Sequence, residues 1–114
     1  MLSKKNQTST DKSIVIFEDQ PVRRVWNKKD KKWYFPIVDV VHVLTNSTDP
    51  SGYLKDMRRR DAELSKGWGQ IATPLYAETK GGKQKVNCAN VEGTLRLIQS
   101  IPSKKAEPFK LWLA

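Results

Sequence analysis

One cysteine and one histidine occur in this chain of 114 residues, and that scarcity removes several kinds of protein at the outset. Cys88 has no second thiol to pair with, so an intramolecular disulfide framework and any multi-cysteine zinc site are excluded. With no histidine near it and a place close to an expected strand end, Cys88 is assigned to packing. His42 stands alone beside an apolar stripe and is expected as a plain surface or boundary residue. Neither Ser-His-Asp, Cys-His nor two-histidine metal chemistry has its partners in place.

Long apolar runs are lacking too. None approaches the roughly 20 residues of a membrane helix, and Met1-Leu2-Ser3-Lys4-Lys5 leads into polar sequence rather than a secretory core. A soluble cytoplasmic protein is expected, with no membrane partner. Clustered carboxylates at metal-site spacing do not occur. Asp56, Asp61 and Glu63 alternate with arginines on one expected helix, where local ion pairing accounts for them. Gly67-Trp68-Gly69 and Gly81-Gly82 lack the Lys-Ser/Thr of a phosphate loop and the spacing of a dinucleotide fingerprint. The chain is therefore expected not to be an enzyme, and no cofactor or metal is implied.

Positive charge is what the chain has in abundance: 21 Lys and Arg against 12 Asp and Glu, a formal charge of +9. Such an excess costs self-repulsion unless a polyanion uses it. Nucleic acid is the first candidate; an anionic membrane or an acidic protein is the rival. The length fits one domain.

Residues 1–12 are polar and aperiodic, which predicts a disordered tail ahead of a domain over 13–114. Ile14-Val15-Ile16-Phe17 reads as a strand, Glu18-Asp19-Gln20-Pro21 as a turn, and Val22, Val25 and Trp26 as a second strand. Beyond a charged tip at Asn27 to Lys32, Trp33-Tyr34-Phe35 forms a third, completing an antiparallel meander. Pro36 suits the start of a helix with Ile37, Val40, Val41 and Leu44 along one face. Asp49 before Pro50 caps a second helix expected to run to Ser65. Gly67-Trp68-Gly69 breaks it, Gln70 to Thr79 is extended, and Pro74 confines that strand to an edge or bulge.

Gly81-Gly82 then turns the chain into Lys83-Gln84-Lys85-Val86-Asn87. Asn90 caps a helix with Val91, Leu95 and Ile98 on one face, ended near Ile101-Pro102. A last helix, from Ser103 or from Glu107, carries Phe109, Trp112 and Leu113. The pattern stops at Trp112-Leu113-Ala114 with no C-cap, as in a fragment of a longer protein. The fold class is α+β: a small antiparallel sheet, made of the meander plus a β-hairpin, packed with about four short helices.

The second helix and the hairpin carry the functional expectation. Lys55, Arg58 and Arg59 gather opposite Tyr53, Leu54, Met57 and Leu64, with Arg60 at the border. Lys80, Lys83 and Lys85 tip the hairpin that follows. DNA places one negative charge per ~1.7 Å of axis, and a helix or a two-stranded ribbon fits its major groove. Arginine forks match guanine edges, so Arg58 and Arg59 are candidates for readout and the lysines for phosphate. A solvated helix face is the competing reading of the same charges. Among aromatics, Trp26, Trp33, Tyr34, Phe35 and Trp112 fall in apolar patterns and are assigned to the core. Trp68 is the best candidate for an exposed stacking ring, yet even there packing under a loop is the favoured role.

Four motifs in order resemble the Bro-N family, the N-terminal domain of baculovirus BRO proteins and of phage and prophage antirepressors. They are Val22-Arg23-Arg24-Val25-Trp26; Trp33-Tyr34-Phe35-Pro36-Ile37-Val38-Asp39-Val40; Val91-Glu92-Gly93-Thr94-Leu95-Arg96-Leu97-Ile98-Gln99-Ser100; and Ala106-Glu107-Pro108-Phe109-Lys110-Leu111-Trp112-Leu113. The closing helix departs from the family in lacking an aromatic soon after Gly93. The resemblance implies a DNA-binding α+β domain in a gene-regulatory setting, where an antirepressor counters a phage repressor and a different C-terminal domain follows. The combined expectation is a double-stranded DNA-binding module that acts in transcriptional regulation. Its rival is an interaction module that binds a phage repressor without touching DNA.

Overall fold

A computed structural model describes residues 13–113; the tail expected over 1–12 lies outside the described residues. Two short hairpins open the chain where one meander was expected. Strand β1 (Ile14–Phe17) pairs antiparallel with β2 (Gln20–Arg23). The turn between them holds Glu18 and Asp19 at positive φ, 48° and 68°, the twist a tight hairpin needs. The change of sheet falls at Arg24, whose amide still donates to the Ser13 carbonyl at 2.8 Å. Strand β3 (Val25–Asn27) then pairs with β4 (Lys32–Pro36) in a second sheet.

That second sheet is completed by β5 (Thr73–Thr79) and β6 (Gly82–Ala89), in the order β3-β4-β6-β5. Pro74 does lie on an edge strand, where its missing N–H breaks no ladder. Strand β4 meets β6 only at Phe35↔Ala89 and Pro36↔Cys88, so the β5–β6 hairpin runs on past β4 as a two-stranded ribbon. The sheet also curls until its two edge strands, β3 and β5, touch.

Six helices pack with these sheets among the described residues. Helix α1 (Ile37–Thr45) follows β4 directly and buries the expected Ile37, Val40, Val41 and Leu44, together with Val43. Asn46 ends it in the left-handed region at φ 57°. Helix α2 (Pro50–Arg60) begins where Asp49 accepts from the Gly52 amide at 3.0 Å.

The helix expected to reach Ser65 stops earlier, at Asp61. That residue is extended (φ −107°, ψ 97°) and serves both sides of the break. Its amide closes α2 on the Met57 carbonyl, and its carboxylate caps α3 (Ala62–Lys66) by accepting from the Leu64 amide at 3.0 Å. An aspartate offers the backbone a local alternative to the helical bond, and here Ser100 Oγ, from the far end of the chain, donates to the same carboxylate and holds it at the break. Residues 68–71, expected to be broken and then extended, form a single turn, α4 (Trp68–Ile71). Three residues apart on that turn, Trp68 and Ile71 both reach the core.

Helix α5 (Val91–Ile98) has the expected Asn90 cap, which accepts from the Gly93 amide at 2.8 Å. Its packed face differs from the expectation: Gly93, Thr94, Leu97 and Ile98 are buried, whereas Val91 and Leu95 are 39% and 36% exposed. Gly93 explains the rotation. A Cβ there would stand 3.1 Å from the Ile71 carbonyl and 3.3 Å from Ala89 Cβ, so the bare backbone forms the contact. Helix α6 (Ala106–Leu113) starts one residue before Glu107. Pro108 is tolerated because first-turn amides have no intrahelical partner.

The core closes where α6 meets the first hairpin. Phe109, 0% exposed, meets Phe17 edge-on at 4.9 Å and stacks on Trp112 at 5.1 Å. Trp112 Nε1 donates to the Ile16 carbonyl at 2.8 Å. Ser103 Oγ ties the preceding loop to the Leu44 carbonyl at 2.6 Å.

Candidate nucleic-acid interface

The β5–β6 ribbon turns through Lys80 and Gly81, with Thr79 opposite Gly82. The turn thus comes one residue before the expected Gly81-Gly82. Gly82 takes the left-handed φ of +97° as the ladder resumes. Thr79 Oγ1 accepts from the Gly81 amide at 3.2 Å and donates to the Gly82 carbonyl at 2.6 Å, which stiffens the tip. Lys80, Lys83 and Lys85 are all exposed. Lys83 and Lys85 share one face by strand periodicity, opposite Glu78 and Tyr76. The Lys85 ammonium sits 5.5 Å from the Tyr76 ring centroid.

A buried base and one arginine hold this ribbon. Cys88 and Ala89 are fully buried at its root. Arg23 Nη1 donates to the Glu78 carbonyl at 2.7 Å, while its Nε and Nη2 fork Asp39 at 3.0 and 2.6 Å. The hydrogen bond to Asp39 raises the Arg23 pKa above the ordinary arginine value, against a smaller opposing effect of burial. Burial pushes the Cys88 thiol up to about 12, so the cysteine is a protonated packing residue, as its sequence context implied.

On α2, Leu54 and Met57 face inward and Lys55, Arg59 and Arg60 are exposed. Arg59 pairs with Asp56 at 2.9 Å with both side chains largely in solvent. A surface pair of this kind contributes little to stability. Arg58 behaves differently. Its guanidinium carbon lies 4.2 Å from the Trp68 centroid. Its Nε is shielded from solvent without a hydrogen-bond partner, and its carbonyl accepts from the Ser65 hydroxyl.

Among the aromatics, one departs from the sequence reading. Trp68 packs on the core beneath Arg58, the packing role favoured for it. Trp26, assigned to the core, is 45% exposed, and Tyr76, which sequence reasoning did not single out, is 62% exposed. Tyr34 and Phe35 are buried as expected; Trp33 and Trp112 are half-buried. The available signal was the polar sequence bracketing Trp26, with Arg23-Arg24 before it and a lysine-rich tip after it. Half of a strand's positions at a sheet edge face water.

Lys80 lines a groove of about 700 Å³ with His42, Ser47 and Pro50, at the start of α2. Arg58, Arg59 and Arg60 lie at the far end of that helix, about 15 Å along its axis. His42 is exposed, its Nδ1 2.9 Å from the Ser47 carbonyl. Among the described residues, no group of three or more His, Cys, Asp or Glu is placed to hold a metal ion. No described helix is long and apolar enough to cross a membrane.

A small α+β domain that presents a lysine-bearing ribbon and a basic helix from one hydrophobic core is the class of protein these features define. The sequence profile of the BRO family, N-terminal domain, matches residues 21–114, and the chain belongs to that family. No curated protein and no solved structure matches it.

Proposed function

We propose that this domain is a non-enzymatic double-stranded DNA-binding module of an antirepressor-like regulator, working in the cytoplasm on transcription. The observation that carries the reading is the ribbon itself: Lys80, Lys83 and Lys85 are exposed on a projecting hairpin braced to the body by Arg23. A stiff ribbon presents its charges at fixed spacing, so phosphate binding does not have to order them first. Lys55, Arg59 and Arg60 extend the contact from α2, and Arg58 supports that helix through Trp68. Salt titration of binding to a labelled duplex tests it. Each phosphate contact adds about 0.9 to the slope of log K against log salt, so replacing all three hairpin lysines with alanine lowers the slope by about 2 to 3. An unchanged slope removes the hairpin from the interface.

A second reading, a module that grips a phage repressor without DNA, is favoured by one feature. Ile14 and Ile16 on β1 are 44% and 57% exposed, an apolar strip of the kind partners cover. Retention of a repressor at high salt, in the absence of DNA, would select it.

A further inference from the structure

The exposed aromatics lie where the curled sheet nearly closes on itself. Trp26 stands on edge strand β3 and Tyr76 on edge strand β5. Both line a groove of about 360 Å³ with Arg24, Trp33, Glu78 and Lys83. A domain this small has little apolar surface to spare for its core, yet it leaves these two large rings 45% and 62% exposed. Trp26 is held in place. Trp26 meets Trp33 edge-to-face at 5.2 Å and 67°, and the Arg24 guanidinium lies 3.8 Å over the Trp33 ring.

Flat rings flanked by cations are the chemistry that stacks a nucleobase and neutralises its phosphate. Paired DNA cannot use it, because the π-faces of paired bases are covered by their neighbours in the stack. We infer that the groove between β3 and β5 is a subsite for one unpaired, extrahelical base of a distorted duplex. Trp26 and Tyr76 are its stacking surfaces. Arg24 and Lys83 lie beside the adjoining phosphate, and Glu78, the one carboxylate among the described residues that line the groove, accepts from an exocyclic amino group. The inference rests on the DNA-binding reading and deepens it: the hairpin lysines hold the duplex and the groove receives a base that has left it.

Binding to three duplexes of one sequence tests this: fully paired, with a single unpaired adenine, and with an abasic residue at that bulge. The abasic duplex keeps the bend and flexibility of the bulge and lacks only the base. The adenine-bulged duplex is expected to bind roughly 5- to 100-fold more tightly than the other two, the range set by base–aromatic stacking. Tyr76→Ala and Trp26→Ala are each expected to lower that preference while binding to the paired duplex persists. Tyr76 is mostly in solvent, so its variant is expected to fold even where the tryptophan variant does not. With 2-aminopurine in place of the adenine, its fluorescence should quench on binding the native protein and recover in Tyr76→Ala. Equal affinity for the adenine and abasic bulges overturns the inference while leaving the DNA-binding reading intact, as does a preference that survives both variants. Absence of binding to every duplex overturns both.

Discussion

Arg23 and Asp39 form a two-pronged ion pair, Nη2 to Oδ1 at 2.6 Å and Nε to Oδ2 at 3.0 Å, with side chains only 28% and 15% exposed. The Arg23 amide donates to the same Asp39 Oδ2 at 2.9 Å. One carboxylate in the first turn of α1 thus fixes the end of β2. The nitrogen left over on Arg23 then reaches the Glu78 carbonyl of the ribbon, 55 residues away in sequence. The position of the hairpin relative to the body depends on this chain of contacts.

Asp39→Asn should therefore act at two levels. It keeps the size of the side chain and removes the charge, leaving a half-buried guanidinium without its counter-ion. Breaking such a pair costs about 2 kcal/mol, toward the lower end for charged hydrogen bonds because the site is partly solvated. Thermal unfolding should shift down by roughly 10 °C, the scale for a domain of about 100 residues. Amide exchange in β5 and β6 should quicken more than exchange in α6. Uniform quickening throughout the domain would show that Asp39 matters to overall stability and not to the ribbon.

Arg58 and Arg60 should separate cleanly in a paired experiment. Arg58 covers Trp68, so Arg58→Ala loses packing and a cation–π contact worth about 1 kcal/mol, seen as a lower melting temperature. Arg60 is exposed, so Arg60→Ala should leave the melting temperature in place and reduce the salt dependence of duplex binding by about 0.9. The reverse pattern would place Arg58 at the DNA and contradict the packing role.

Much of this arrangement is legible in the residues, and what is not has a common cause. Caps at Asp49 and Asn90, the apolar face of α1 and the edge position of Pro74 depend on neighbours within a few residues, and each follows from local chemistry. The break at Asp61, the rotation of α5 and the exposure of Trp26 depend on segments far away. Asp61 is held from across the fold by Ser100 Oγ at 2.7 Å, Gly93 by the approach of Ile71, and Trp26 by its place on a strand that ends the sheet order among the described residues. Helical projection of residues 50–65 put Arg58 and Arg59 together. Only the turn to Trp68, seen in three dimensions, separates their roles.

Cys88 gives a prediction that does not involve DNA. Fully buried, and with its thiol pushed up to about 12 by desolvation, it is both inaccessible and protonated at neutral pH. The thiolate is the form that attacks ordinary thiol reagents, so the native protein should react far more slowly than the same protein in denaturant. The reaction rate should follow transient opening of the ribbon's root, and Asp39→Asn should accelerate it. Rapid labelling of the native protein at neutral pH would be incompatible with the packed root of β6.

Asp61 links the fold to pH. Its carboxylate accepts from the Leu64 amide and from Ser100 Oγ, and these bonds hold its pKa below the ordinary value of 3.8. The sign follows from linkage: a group whose folded pKa is depressed stabilises the native state above its unfolded pKa. That contribution is lost as the pH falls through the lower, folded value. The contribution of Asp61 to stability should accordingly be level from neutral pH down to the ordinary aspartate range and decline below it. Asp61→Asn keeps an acceptor for the Leu64 amide and cannot titrate, so its melting temperature should fall less steeply over the same acidic interval. The difference between the two curves isolates this residue, because every other carboxylate is common to both proteins. Parallel curves would mean that the contacts made by Asp61 at the α2–α3 junction do not distinguish its charged from its neutral form.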